Sequence, residues 1–191
     1  DDLVRLNGPV TASSKLMINT SGGNLLLTDA SPLNSQPNEF NDVTIDVGTG
    51  DGTFDASIGV AARLGELQII NAHDVTFAST VFAARISQLA GSGTTTFNGA
   101  LDTTDVGRSG IELTGTDVTL NAPITATGDG RVMINQTGLL DINENANLRL
   151  DGAFSQTGGA VETAADIVTS GDAIAFGGSV TLTNGLATIV H

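Results

Sequence analysis

A short string recurs along this chain at a nearly fixed interval: Gly-Thr-Phe54-Asp, Val-Thr-Phe77-Ala, Thr-Thr-Phe97-Asn, Val-Thr-Leu120-Asn and Leu-Asp-Ile142-Asn. The apolar anchors are 23, 20, 23 and 22 residues apart, and Ile-Ala-Phe176-Gly reads as a later copy. Four positions beyond each anchor sits a second small or aliphatic residue: Ile58, Val81, Leu101, Ile124, Ala146 and Val180. Before the anchors come short alternating runs such as Leu67–Ile69, Ile111–Leu113 and Val132–Ile134. Arg63, Arg85, Arg108 and Arg131 keep the same beat, 22, 23 and 23 residues apart.

A repeat of this length constrains the fold strongly. It has room for two or three strands of about four residues at ~3.3 Å rise, joined by tight corners. One such unit cannot bury its own apolar face, but stacked units bury a continuous core and pair each strand with the one above and below. The expected fold is all-β, a parallel β-helix (β-solenoid) of about eight coils of 20–23 residues, on the order of 40 Å long at ~4.8 Å per coil. Phe54, Phe77, Phe97, Leu120 and Ile142 then form one inward column. The residues four positions on form another. A leucine-rich repeat would need fixed leucines that are absent, and an antiparallel sandwich gives no reason for one arginine per repeat. The reading is a single domain over residues 1–191, with two irregular places. Residues 29–41, with Pro32 and Pro37, read as a protruding loop. Residues 143–172 read as an irregular coil, because the anchor phase slips there.

Composition removes several functions. The chain carries 21 acidic and 7 basic side chains, net charge -14, and no Cys, Trp or Tyr. Without Cys there is no disulfide frame, thiolate metal site or Cys nucleophile. Nucleic acid and anionic membranes require clustered Lys or Arg, so neither is an expected partner. No apolar run is long enough for a helical membrane span. The chain opens at Asp1 without Met or a signal-like segment, as expected of a processed chain or a piece of a longer one.

Thr94-Thr-Thr-Phe-Asn-Gly-Ala-Leu-Asp, Asp117-Val-Thr-Leu-Asn-Ala-Pro-Ile-Thr-Ala-Thr-Gly and the stretch from Asp166 to Thr183 resemble the repeat regions of large filamentous-haemagglutinin-like bacterial exoproteins. The resemblance covers about residues 42 to 190. It implies a right-handed parallel β-helix acting as stalk, fibre or adhesive surface in a secreted or cell-surface protein. It brings no catalytic residues, and the family's secretion module with its Asn-Pro-Asn motifs is not found here.

The functional expectation is an extracellular structural or adhesive segment of a bacterial surface fibre, with no enzyme activity and no cofactor. Its partners would be itself end to end or adjoining coils of a longer chain, and a surface glycan or matrix polymer. As an alternative, Arg63, Arg85, Arg108 and Arg131 form a surface line that grips an acidic glycan through bidentate contacts. The opposing reading is that these arginines offset nearby carboxylates such as Glu66 and Glu112. Calcium is a weak candidate at Asp51 and Asp55, within a single Gly- and Asp-rich stretch where shared sites need consecutive copies. A polysaccharide-degrading β-helix would need clustered carboxylates with a basic partner, which the scattered acidic residues do not supply. Asn98, Asn121 and Asn143 fall at one phase and suit a buried amide ladder. The Thr runs do not repeat at one phase, which speaks against an ice-binding array.

Overall fold

A computed structural model describes residues 2–104, 109–183, 185 and 187–191. The chain is a β-solenoid of about eight turns, and every strand pairing among the described residues is parallel. Each turn visits three faces. The first face carries Leu3–Leu6, Asn24–Leu27, Gly52–Phe54, Val75–Phe77, Thr94–Phe97 and Asp117–Leu120, and it ends with Val180–Leu182. The second carries Val10–Ala12, Leu33–Ser35, Leu101–Thr103, Ile124–Ala126, Leu148–Leu150, Ile167–Thr169 and Ile189–Val190. The third carries Leu16–Asn19, Val43–Asp46, Leu64–Ile69, Ser109–Gly115 and Ile174–Phe176. Three longer strands turn a corner without breaking. Val81–Gln88 runs from the second face to the third, while Arg131–Ile142 and Phe154–Thr163 run from the third to the next turn of the first.

The inward columns arise from period-two alternation, which sends every second residue of each three- or four-residue strand into the tube. On the first face Leu27, Phe54, Phe77, Phe97, Leu120 and Ile142 stack one above another, all essentially fully buried. The rings of Phe54 and Phe77 stack at 4.7 Å and 12°, those of Phe77 and Phe97 at 4.9 Å and 1°. That spacing is the strand spacing itself, so the fold imposes parallel stacking on the rings. The second face supplies Leu33, Ile58, Val81, Leu101 and Ile124, joined through isolated bridges at Ile58.

Register corrects four expectations. Above Ile124 the column continues through Leu148 and Ile167 rather than Ala146, although Ala146 is also buried. Above Ile142 the anchor is Thr163, 21 residues on, so coil length is ordinary across 143–172. The apparent phase slip came from a polar residue at an apolar position. Thr163 fits there because its hydroxyl donates to Ala165 O and accepts from Ala165 N. Phe154 and Phe176 belong to the third face, where Phe154 pairs with Val132 and Phe176 with Gln156. Finally, only part of 29–41 leaves the stack. Leu33–Ser35 pairs with Val10–Ala12, and Ser31, Leu33 and Ser35 are buried, so the exposed portions are residues 29–30 and 36–40.

Candidate functional site

The outer surface was expected to carry an arginine line, and the register breaks it. Arg85 pairs with Glu66, and Arg63 stands three residues ahead of Glu66, just before the strand Leu64–Ile69 begins. The two guanidinium groups therefore occupy different columns. Unequal coil lengths cause this: a constant sequence interval keeps phase only if every coil has the same length, and these coils differ by several residues. Arg63 also spends its donors on the protein. Nη1 donates to Ala83 O at 3.0 Å and Asp102 O at 2.8 Å, Nη2 donates to Asp102 Oδ1 at 2.9 Å, and the guanidinium lies 5.1 Å from the Phe82 ring centroid. This arginine ties three successive coils together. Arg85 sits between Glu66 and Glu112, its Nη2 donating to Glu112 Oε2 at 2.7 Å and its Nε 3.6 Å from Glu66 Oε1. Arg131 is exposed at the start of its strand, and Arg108 is outside the described residues. Two of the four arginines thus offset carboxylates on neighbouring coils.

The weak calcium pair does not assemble either. Asp51 and Asp55 flank opposite ends of Gly52–Phe54 and share no contact. Asp51 instead faces the next coil. Its Oδ1 accepts from Asp74 N at 3.1 Å and lies 3.0 Å from His73 Nδ1, while Asp74 Oδ2 is 3.7 Å from the same nitrogen. The hydrogen bond to Asp51, and then the charge of Asp74, raise the His73 pKa above its ordinary value. In a regular strand adjacent residues such as His73 and Asp74 would point to opposite faces. Here both residues lie at a corner before Val75–Phe77, where alternation does not apply.

Two surface features were missed. Asp and Asn at the corners cap the next coil. Asn24 Oδ1 accepts from Asp51 N, Asp51 Oδ1 from Asp74 N, Asp74 Oδ1 from Thr94 N and Asp117 Oδ1 from Leu139 N. At the approach to the second face Asn147 does the same for Asp166, and Asp166 for Thr188. Where the chain bends, backbone carbonyls swing out of line, and a side-chain oxygen continues the ladder in their place. Part of the chain's acidity, Asp51, Asp74, Asp117 and Asp166, is this structural capping. The second feature is a file of threonines on the first face, Thr53, Thr76, Thr96 and Thr119, on four consecutive coils. The signal was present as the residue directly before each anchor. The Asn98–Asn121–Asn143 amide ladder forms, with Nδ2 to Oδ1 distances of 2.7 and 2.6 Å, but Asn98 is exposed and the others are half-buried.

No family model, curated protein or solved structure matches this chain.

Proposed function

We propose that this solenoid is a structural segment of a bacterial surface fibre or adhesin, working as a rod whose terminal coils are covered by further coils. The observation that carries this reading is the state of its two ends. In the last coil Val180, Leu182 and Ile189 are exposed, with Leu182 54 % accessible, although they continue columns that are buried in the middle of the rod. At the other end Val4, which pairs with the buried Leu25, is exposed in the same way, and the inward-facing Leu6, Val10, Leu16 and Ile18 are only half-buried. Strand edges and apolar columns left open at a solenoid end invite another coil. The columns are also matched. Val180 and Leu182 continue the columns that begin at Val4 and Leu6, and Ile189 continues the one that begins at Val10. Coils of the same chain or a second copy would extend every ladder in register. The Thr- and Gly-rich repeats, and their resemblance to filamentous-haemagglutinin-like exoproteins, support an extracellular setting.

Light scattering and negative-stain microscopy across a concentration series test the rod. The chain is expected to form end-to-end oligomers that a Leu182→Lys variant abolishes while its circular dichroism stays unchanged. A strict monomer at high concentration would remove self-stacking, and absence of antibody labelling on intact source cells would remove the surface assignment.

A further inference from the structure

We propose that the corner formed by Asp51, His73 and Asp74 binds one divalent transition-metal ion of the zinc class. The ligands are His73 Nδ1 and one carboxylate oxygen from each aspartate, with water completing the coordination sphere. Among the described residues this is the single place where three His, Cys, Asp or Glu ligand atoms converge, all within 4.8 Å of one another. In a chain with 21 acidic residues, convergence at one point distinguishes this corner from the general negative surface. The separations from Nδ1, 3.0 Å to Asp51 Oδ1 and 3.7 Å to Asp74 Oδ2, suit a shared ion. Zinc bonds of about 2.0–2.2 Å place neighbouring ligands roughly 3.0–3.6 Å apart, so small side-chain adjustments suffice.

The fold holds these groups before any ion arrives. Gly52 pairs with Val75, which sets Asp51 and Asp74 on consecutive rungs of one corner. Each carboxylate is anchored by an amide of the following coil, Asp51 by Asp74 N at 3.1 Å and Asp74 by Thr94 N at 2.7 Å. Such bonds orient ligands in the manner of an outer coordination shell. Asp51 Oδ2 has no hydrogen-bond donor among the described residues and is available to the ion. Solvent reaches all three side chains, so the ion needs no opening of the rod. The imidazole sets the metal class: nitrogen ligation favours zinc, nickel and copper, whereas calcium takes only oxygens.

Isothermal titration of the untagged chain with Zn²⁺ alone at neutral pH tests the site. One ion per chain is expected, with affinity reduced at least about tenfold in His73→Ala. Asp51→Asn is expected to weaken binding while keeping the metal-free melting temperature, because Asn24 makes the equivalent amide bond at 2.9 Å one coil earlier. His191→Ala, which removes the other histidine, should bind as the parent does. No saturable uptake, unchanged affinity in His73→Ala, loss of binding in His191→Ala, or Ca²⁺ competing as well as Zn²⁺ would each overturn the proposal.

Discussion

Individual side chains in this rod divide sharply into those that fill columns and those that cap corners. Phe77 lies between two parallel rings and is almost completely buried, so Phe77→Ala opens a cavity that neither neighbour can fill without leaving its own strand. The expected loss is about 3–5 kcal/mol, measured by denaturant unfolding. A loss below about 1 kcal/mol would mean that the column collapses around the gap. Corner carboxylates respond to pH instead. Asp151 Oδ2 accepts from Asp129 N at 3.3 Å and Gly128 N at 3.1 Å, and Ser170 Oγ donates to Oδ1 at 3.1 Å. The Asp129 amide first, then Ser170 and Gly128, hold its pKa below the ordinary 3.8. Because the folded value is lowered, its stabilisation is complete above the unfolded pKa and is lost as pH falls through the folded one. The melting temperature of Asp151→Asn should therefore lie below that of the parent at pH 6, and the gap should close on acidification below about pH 4. A gap of constant size would show that the charge of Asp151 contributes nothing.

Elements in a solenoid are limited less by the strands than by the corners. Between the third and first faces Gly138, Gly159 and Gly178 stack where the chain turns. A Cβ on Gly159 would lie 1.7 Å from Gly138 O, and one on Gly178 would lie 1.9 Å from Gly159 O. Coils spaced by one strand width leave no space for side chains pointing along the rod, so this corner requires glycine. Inside it, Gln156 Nε2 donates to Gln136 Oε1 and Gly159 O, and its Oε1 accepts from Gly177 N and Gly178 N. The buried amide thus bonds Gly159 O and Gly178 N, and shares Gly177 N with the backbone carbonyl of Gln156. Gly159→Ala should cost at least about 2 kcal/mol, read as a fall in melting temperature. A neutral result would require the two coils to move apart. Gly185, whose Cβ would meet nothing within 4 Å, provides a substitution with no steric cost.

At the scale of the whole molecule, each coil touches mainly the coils before and after it, and stability is approximately a sum of local and nearest-neighbour terms. Arg63 goes further, linking its own coil to the two that follow through Ala83 and Asp102. Inward residues of the first and last described coils, such as Val4, Val180 and Leu182, are exposed where the corresponding residues of the middle coils are buried. Net charge of -14 on a rod would oppose side-by-side association. End-on contact, where the apolar columns emerge, is the geometry of the proposed assembly.

The period, the phenylalanine column and the asparagine file were all legible in the sequence, because a residue at an inward position must be apolar and one at a tight corner must tolerate the bend. These are local requirements, repeated often enough to be seen. Register was decided only by the tertiary structure. Coil lengths vary as loops are taken in or left out, so residues at equal sequence spacing, such as Arg63 and Arg85, end in different columns. Thr163 hid one anchor, because a hydroxyl bonded within its own turn can occupy a place that composition reserves for an aliphatic residue. The meeting of Asp51, His73 and Asp74 was likewise invisible. Contact between rungs depends on which residue of one coil lies over which residue of the next, and that is fixed by hydrogen bonding between coils rather than by any pattern within one.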